Sequence, residues 1–250
     1  MDLKLNNKVA LVTGSSRGIG KSIANSLLNE GCKIILNGKN SKLLKNTSKI
    51  LGNSTSYIVA DVTKSSDCSK MIKKIIHDYG RLDILVCNVG DGTSALPGKE
   101  NSKDWQTMFD INLQSATNVI SAAKDELSKS KGSIICVSSI AGLNVLGAPI
   151  PYSAMKSALN TFVKCSARPL GQQNIRINAI APGNIIFEGS VWQKKKKTNP
   201  SLVKKILTDE VSLHRFGKPD EIGDLAAFLS SPRSSFITGS VYVIDGGQIR

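Results

Sequence analysis

Seven short apolar runs, rich in β-branched residues, recur along the chain, and most of them are separated by patterns of helical spacing. The runs span residues 8–13, 33–37, 56–60, 82–87, 132–138, 175–181 and 240–244. Strands that alternate with helices form a parallel sheet, and helices then cover both faces of that sheet. The sequence therefore predicts an α/β fold built on one doubly wound, seven-stranded parallel sheet.

The length of the chain and the distribution of its apolar residues limit the number of domains and the kinds of segment to expect. Its 250 residues contain no stretch typical of a linker, which favours a single domain over residues 1–250. The first eight residues lack the apolar core of a signal peptide, and no apolar run approaches the roughly 20 residues of a membrane span. We expect a cytoplasmic protein that does not enter a membrane.

Cysteine and histidine are too sparse and too scattered to indicate a metal site. The five cysteines are widely spaced, odd in number and without a Cys-x-x-Cys pair, so we expect buried free thiols. Neither His77 nor His214 has a second ligand at metal-binding spacing, and no metal is expected.

A glycine-rich segment follows the first apolar run directly. Residues Val9 to Thr13 lead into Gly14, Gly18 and Gly20, after which apolar residues recur at helical spacing. In this context the three glycines permit a tight turn, close approach of the backbone to a pyrophosphate, and close packing of the helix. The segment predicts a dinucleotide site at the N-terminus of a helix.

A candidate acid–base group lies further along the chain. Tyr152 and Lys156 are one helical turn apart, and Ser139 lies thirteen residues before the tyrosine. A lysine charge beside a tyrosine is expected to lower the tyrosine pKa from about 10, so that the phenol can exchange a proton with an alcohol or a carbonyl.

Together, the run from Thr13 to Gly20 and the run from Tyr152 to Lys156 resemble the short-chain dehydrogenase/reductase family, and further matches extend over nearly the whole chain. The resemblance implies a Rossmann-type fold and gives most candidate site residues their roles. The implied catalytic residues are Asn112, Ser139, Tyr152 and Lys156, with Ser138 as a rival for the serine role. The implied cofactor residues are Gly14, Ser16, Arg17, Gly18, Ile19, Gly20, Lys39, Asp61, Val62, Asn88, Tyr152, Lys156, Pro182, Gly183 and Ile185.

The end of the second strand favours NADP(H) over NAD(H) as the cofactor. An acidic residue that would bind the ribose hydroxyls in an NAD enzyme is missing from the segment that ends at Gly38 and Lys39. Gly38 leaves room for a 2′-phosphate, Lys39 can pair with it, and Arg17 can add a second positive charge.

The implied reaction interconverts a ketone and a secondary alcohol by hydride transfer, with Tyr152 as the acid or base. The nearest resemblance is to 3-oxoacyl-acyl-carrier-protein reductases, so a small or thioester-linked carbonyl substrate and an acyl carrier protein are candidate partners. A sugar or nucleotide-sugar oxidoreductase is the rival interpretation. A non-catalytic NADP(H)-binding sensor is the alternative of another class. The substrate loop is expected at residues 184–215.

The formal net charge of +14 can attract phosphates or an acidic carrier without specifying either. Lys194 to Lys197 form the sharpest basic cluster, which we expect to be a solvated loop face or the edge of a lid. Nucleic-acid binding is disfavoured, because only Trp192 could provide aromatic stacking near this cluster. The family resemblance implies a homodimer or homotetramer.

Overall fold

A sheet of seven parallel strands, in the order β3-β2-β1-β4-β5-β6-β7, forms the centre of the molecule. The computed structural model describes residues 1–249. The strands are β1 (Val9–Val12), β2 (Lys33–Gly38), β3 (Thr55–Val59), β4 (Ile84–Cys87), β5 (Ser133–Val137), β6 (Arg176–Pro182) and β7 (Val241–Ile244). Each predicted run overlaps one strand and differs from it by at most two residues at either end, so the predicted α/β sheet is confirmed.

Nine α-helices of the described residues accompany the sheet. They are α1 (Gly18–Asn29), α2 (Ser41–Leu51), α3 (Ser65–Tyr79), α4 (Ser102–Phe109), α5 (Ser115–Ser130), α6 (Ile150–Gly171), α7 (Val191–Thr198), α8 (Pro200–Asp209) and α9 (Pro219–Ser230). A π-helical turn over Asp110–Gln114 joins α4 to α5.

The core consists of two apolar layers, one on each face of the sheet. Along β1, Val9 and Leu11 point into the layer that contains buried residues of α3, α5 and α6, whereas Ala10 and Val12 point into the layer of α1, α2 and α9. Successive strand residues alternate between the two faces, so a run that is apolar at every position must be buried on both. This explains why the strands appear in the sequence as continuous apolar runs.

The direction in which the sheet grows reverses beside β1. This strand pairs with β2 on one side and with β4 on the other, so the loops that follow β1 and β4 leave the sheet next to each other. Ligands of open α/β sheets bind at this point, beyond the carboxyl ends of the strands. The glycine segment and Asn88 both lie there.

The lysine run, expected as a loop face or a lid edge, is helical. The Ser190 hydroxyl caps α7 by accepting a hydrogen bond from the Gln193 N–H at 3.1 Å, and the lysines of its last turn complement the helix dipole. Four like residues in a row carry no helical periodicity, so the sequence pattern could not indicate this helix.

Four of the five cysteines are buried free thiols, as expected. The expectation was wrong for Cys165, which is exposed. It lies on the outer side of α6, a helix that buries Leu159 and Val163 towards the sheet.

Candidate active site

The glycine segment forms a tight turn between β1 and α1. Gly14 and Gly18 have φ angles of +62° and +57°, a region in which side chains are disfavoured. Asn88, just after β4, fixes the turn, because its amide Nδ2 donates to the carbonyls of Thr13 and Gly14 at 3.0 and 3.1 Å. The Thr13 hydroxyl in turn accepts the Asn88 backbone N–H at 3.0 Å.

The N-terminus of α1 suits an anionic group. Arg17 precedes the helix but makes no side-chain capping bond, and the first turn contains no acidic residue. The backbone N–H groups in the first turn of α1 therefore have no side-chain acceptor, and free N–H groups at a helix N-terminus are the arrangement that binds a pyrophosphate. Ser16 is partly buried, its carbonyl accepting the Thr47 hydroxyl, and Ile19 packs on the apolar layer beneath. These residues fit the predicted dinucleotide.

The end of β2 presents Lys39 to solvent. Its side chain is 73% exposed, and its Nζ lies 3.9 Å from the Asp61 carboxylate. Burial raises the pKa of Asp61, but hydrogen bonds from Thr63 and the charge of Lys39 outweigh that effect and hold it below its ordinary value. Asp61, one of the implied cofactor residues, is therefore an anion. Val62 is buried, so it can offer a ligand mainly its backbone.

Ser139 and Tyr152 meet beyond the carboxyl end of β5. Ser139 follows the strand in an extended conformation, and its hydroxyl accepts the Ala141 N–H at 3.1 Å. The same hydroxyl lies near enough to Tyr152 to lower the tyrosine pKa. Ser138, the rival for this role, is buried and donates to the Lys156 carbonyl at 3.3 Å. The extended backbone turns consecutive side chains to opposite sides, so only Ser139 faces the tyrosine.

The structure corrects the expected effect of Lys156 on Tyr152. The tyrosine pKa is raised above its ordinary value, chiefly by burial; the Ser139 hydrogen bond opposes the rise, and the Asp91 carboxylate adds to it. Lys156 instead donates from Nζ to the Val137 carbonyl at 2.9 Å. Burial also lowers the pKa of Lys156 to about 8. The prediction of a lowered tyrosine pKa is wrong for this arrangement. The Lys156 Nζ lies 5.8 Å from the centre of the Tyr152 ring, and desolvation by burial is the largest influence on the tyrosine pKa.

Asn112 lies in the π-helical turn, and 1% of its surface is exposed. Its amide accepts the Asp91 N–H at 3.1 Å and donates to the Asp91 carbonyl at 3.0 Å and to the Met108 carbonyl at 3.3 Å. A methyl group built on Gly90 would lie 3.0 Å from the Lys156 Nζ and 3.1 Å from the Asn112 Oδ1. The predicted lysine and asparagine thus converge on one glycine.

The turn after β6 completes the edge. Gly183, which follows Pro182, packs against Asp245, since an added methyl group would lie 2.6 Å from the Asp245 Cβ. Ile185 is buried, and its side chain packs against Gly217, where an added methyl group would meet it. Of the predicted residues after β6, Ile185 offers a ligand mainly its backbone.

Sequence reasoning missed the positions of two site residues. Asp91 follows Gly90, and its charge reaches Tyr152, but no motif singles it out. Phe187 falls within the expected substrate loop, whereas its ring lies against Gly18 of the dinucleotide turn. Both contacts join loops distant in the sequence, so no local pattern could reveal them.

The lowered pKa of Lys156 should make the free energy of unfolding change with pH in the alkaline range. An unfolded lysine binds its proton up to a pKa of about 10.4, whereas the folded pKa is about 8. Between these values the unfolded chain binds more protons, so stability should rise with pH. We expect the unfolding free energy of the wild type, relative to Lys156→Met, to rise by up to about 3 kcal/mol from pH 8 to pH 10 in urea titrations. A difference independent of pH would show that Lys156 keeps an ordinary pKa.

Within residues 1–249, no helix has both the length and the apolar character that crossing a membrane requires. The same part of the chain holds no group of three His, Cys, Asp or Glu side chains placed to bind a metal ion.

Comparison with known proteins gives consistent matches over the whole chain. Residues 14–248 match the family model described as Enoyl-(Acyl carrier protein) reductase. The 3-oxoacyl-[acyl-carrier-protein] reductase of Chlamydia muridarum is 35% identical, covering 99% of this chain and 100% of that protein. Glucose 1-dehydrogenase 2 of Bacillus subtilis is 32% identical, covering 98% of this chain and 95% of that protein.

Among solved structures, the L-sorbose reductase of Gluconobacter frateurii, complexed with NADPH and L-sorbose, superposes with a TM-score of 0.94 at 27% identity. The match covers 100% of this chain and 99% of that one. With the glycine turn, the Ser139 and Tyr152 pair and the full-length relatives agreeing, the chain belongs to the short-chain dehydrogenase/reductase family.

Proposed function

We propose that the protein is an NADP(H)-dependent oxidoreductase that interconverts a ketone and a secondary alcohol. The observation that carries this proposal is the meeting of the Ser139 and Tyr152 hydroxyls at the same sheet edge as the glycine turn. Two adjacent hydroxyl donors suit an oxygen atom that gains negative charge during a reaction.

When bound by the glycine turn and the N-terminus of α1, NADP(H) would supply or accept the hydride. As negative charge grows on the substrate oxygen, Tyr152 donates its phenolic proton and Ser139 donates a hydrogen bond to the same atom. Because the pKa of Tyr152 is raised, the phenol carries its proton at neutral pH and is ready to act as the acid in ketone reduction. The side chains of Lys156 and Asn112 pack against Gly90 below the site.

The cofactor preference rests on charge at the end of β2. Lys39 is exposed there, Arg17 lies at the N-terminus of α1, and no acidic residue takes the place of Gly38. A 2′-phosphate would gain two positive partners that a free hydroxyl does not need.

Lys39→Glu should therefore weaken NADPH binding at least tenfold and leave NADH binding within about twofold, because only the first ligand loses an ion pair and meets a like charge. Equilibrium titration with both cofactors measures this. Lys33→Glu, at the opposite end of the same strand and also exposed, is the matched control. Equal weakening of both cofactors would contradict the preference for NADP(H).

The first substrate that we propose is a 3-oxoacyl thioester, since several relatives are named 3-oxoacyl-[acyl-carrier-protein] reductase. An acyl carrier protein is then the candidate partner. The test is oxidation of NADPH against acetoacetyl thioesters, keto sugars and quinones. Binding of NADPH without turnover of any compound would favour a cofactor sensor over an enzyme.

A keto sugar is the second candidate, and Asp91 is the observation that favours it. Asp91 is exposed and lies between Gly90, which packs against Lys156 and Asn112, and Gly92, where an added methyl group would lie 3.8 Å from the Tyr152 ring. Its carboxylate can accept hydrogen bonds from substrate hydroxyls. Glucose and L-sorbose appear in the names of two matched proteins. Asp91→Ala separates the candidates, because it should impair keto-sugar reduction alone.

We further propose a single catalytic domain over residues 1–250 that acts in the cytoplasm as a homodimer or homotetramer. Its free, buried cysteines support a reducing compartment. The measurement for the assembly is the molar mass by light scattering.

A further inference from the structure

The ring of Phe187 covers the surface of Gly18. A methyl group built on that glycine would lie 2.5, 2.7 and 2.9 Å from three ring carbons. A side chain could not fit between them, so the ring makes direct contact with the backbone of the turn. Gly18 begins α1, whose first N–H groups have no side-chain acceptor.

Phe187 belongs to a short turn that continues into α7. The Phe187 N–H donates to the Ser190 hydroxyl at 3.2 Å, and the Ser190 N–H donates back to the Phe187 carbonyl at 3.0 Å. The same hydroxyl caps α7 through Gln193, and the Gln193 side chain accepts the Gly189 N–H at 2.8 Å. These bonds make residues 187–190 and the start of α7 one unit.

This unit also touches Arg17. A methyl group on Gly189 would lie 3.1 Å from the Arg17 Nη1. The turn therefore contacts two neighbouring positions of the dinucleotide loop, namely the glycine that a pyrophosphate must approach and the arginine assigned to the 2′-phosphate.

We propose that Phe187 and the pyrophosphate of NADP(H) compete for the surface of Gly18, so that cofactor binding displaces the Phe187–Ser190 turn and moves the start of α7. The inference rests on the proposed use of NADP(H). Phe187 then sets the apparent affinity for the cofactor, because only molecules whose ring has left Gly18 can bind, and that fraction multiplies the intrinsic affinity. Since α7 lies within the predicted substrate loop, cofactor binding also reshapes the region where substrate is expected.

Competition predicts an effect opposite to that of a favourable contact. Truncating a residue that binds the cofactor weakens binding, whereas truncating a competitor strengthens it. Phe187→Ala should bind NADP⁺ about three- to tenfold more tightly than the wild type and associate faster, since the closed population is lost.

Trp192 reports the movement. It lies one residue after the start of α7, and its ring packs against Phe216 with a centroid distance of 5.5 Å. Trp105 is the only other tryptophan of the chain, so Trp105→Phe leaves a single probe. NADP⁺ is the ligand of choice, because its oxidised ring does not take up tryptophan emission as NADPH does.

The experiment is stopped-flow and equilibrium titration of Trp192 fluorescence with NADP⁺, with calorimetry as an independent affinity. Phe236→Ala is the matched control, since Phe236 is fully exposed. We expect a Trp192 change in the wild type, and tighter, faster binding only in Phe187→Ala. Weaker or unchanged binding in Phe187→Ala, with the fold intact by circular dichroism, overturns the inference and leaves the proposed function standing. Absence of NADP⁺ binding in both proteins overturns the two together.

Discussion

Replacing Tyr152 by Phe should lower kcat for ketone reduction about 10³-fold while leaving the protein folded and able to bind NADP(H). The change removes one oxygen atom and keeps the ring in the first turn of α6. Ser139 can still hydrogen-bond to the substrate oxygen, but no group then supplies the proton. Steady-state kinetics on the best carbonyl compound, together with calorimetric titration of the cofactor, gives both quantities.

Tyr79→Phe is the matched control. Tyr79 is the last residue of α3, and its hydroxyl donates a hydrogen bond only to Ser56 of β3. The kcat of this control should remain within about twofold of the wild type. If Tyr152→Phe kept more than a tenth of the wild-type rate, another group would be the acid.

The second large effect is expected for Gly20→Ala. A methyl group at this position would lie 2.4 Å from the Asn88 Nδ2 and 2.6 Å from the Gly14 carbonyl oxygen. The second neighbour is backbone, so α1 must move away from the turn that Asn88 fixes. Overpacking of this kind costs about 1–3 kcal/mol of stability. The shift also misplaces the N–H groups for the pyrophosphate, so we expect the Kd for NADPH to rise more than 100-fold.

Gly171→Ala provides the comparison for this substitution. Gly171 is the last residue of α6, and nothing lies within 4 Å of an added methyl group. Alanine is favoured over glycine in helices by up to about 1 kcal/mol, so this variant should be as stable as the wild type or slightly more stable. Urea unfolding and NADPH titration of the two variants decide the matter. Equal behaviour would mean that the close packing at Gly20 has no functional consequence.

The fold was largely predictable because its strands are buried on both faces. Continuous apolar runs such as the one at β5 have no other explanation once helical patterns flank them. The family resemblance implied Ser139 with Ser138 as its rival, and which of the two side chains faces Tyr152 depends on the extended backbone that follows β5. The Tyr152 and Lys156 spacing likewise placed both residues on one helix.

The remaining features depend on contacts between distant segments. The π-helical turn that holds Asn112 has no pattern of its own, and the lysines of α7 lack an apolar face. The sequence predicted a charge effect of Lys156 on Tyr152, but it could not show that burial would dominate both pKa values. Burial belongs to the assembled fold rather than to the spacing of two residues.

The most direct test of hydride transfer at this site is a labelling experiment. NADPH carrying deuterium in both positions at C4 is incubated with the protein and its best carbonyl substrate, and the product is analysed by mass spectrometry and NMR. We predict one deuterium on the carbinol carbon for each NADPH oxidised. Oxidation of NADPH without deuterium on that carbon would contradict the account.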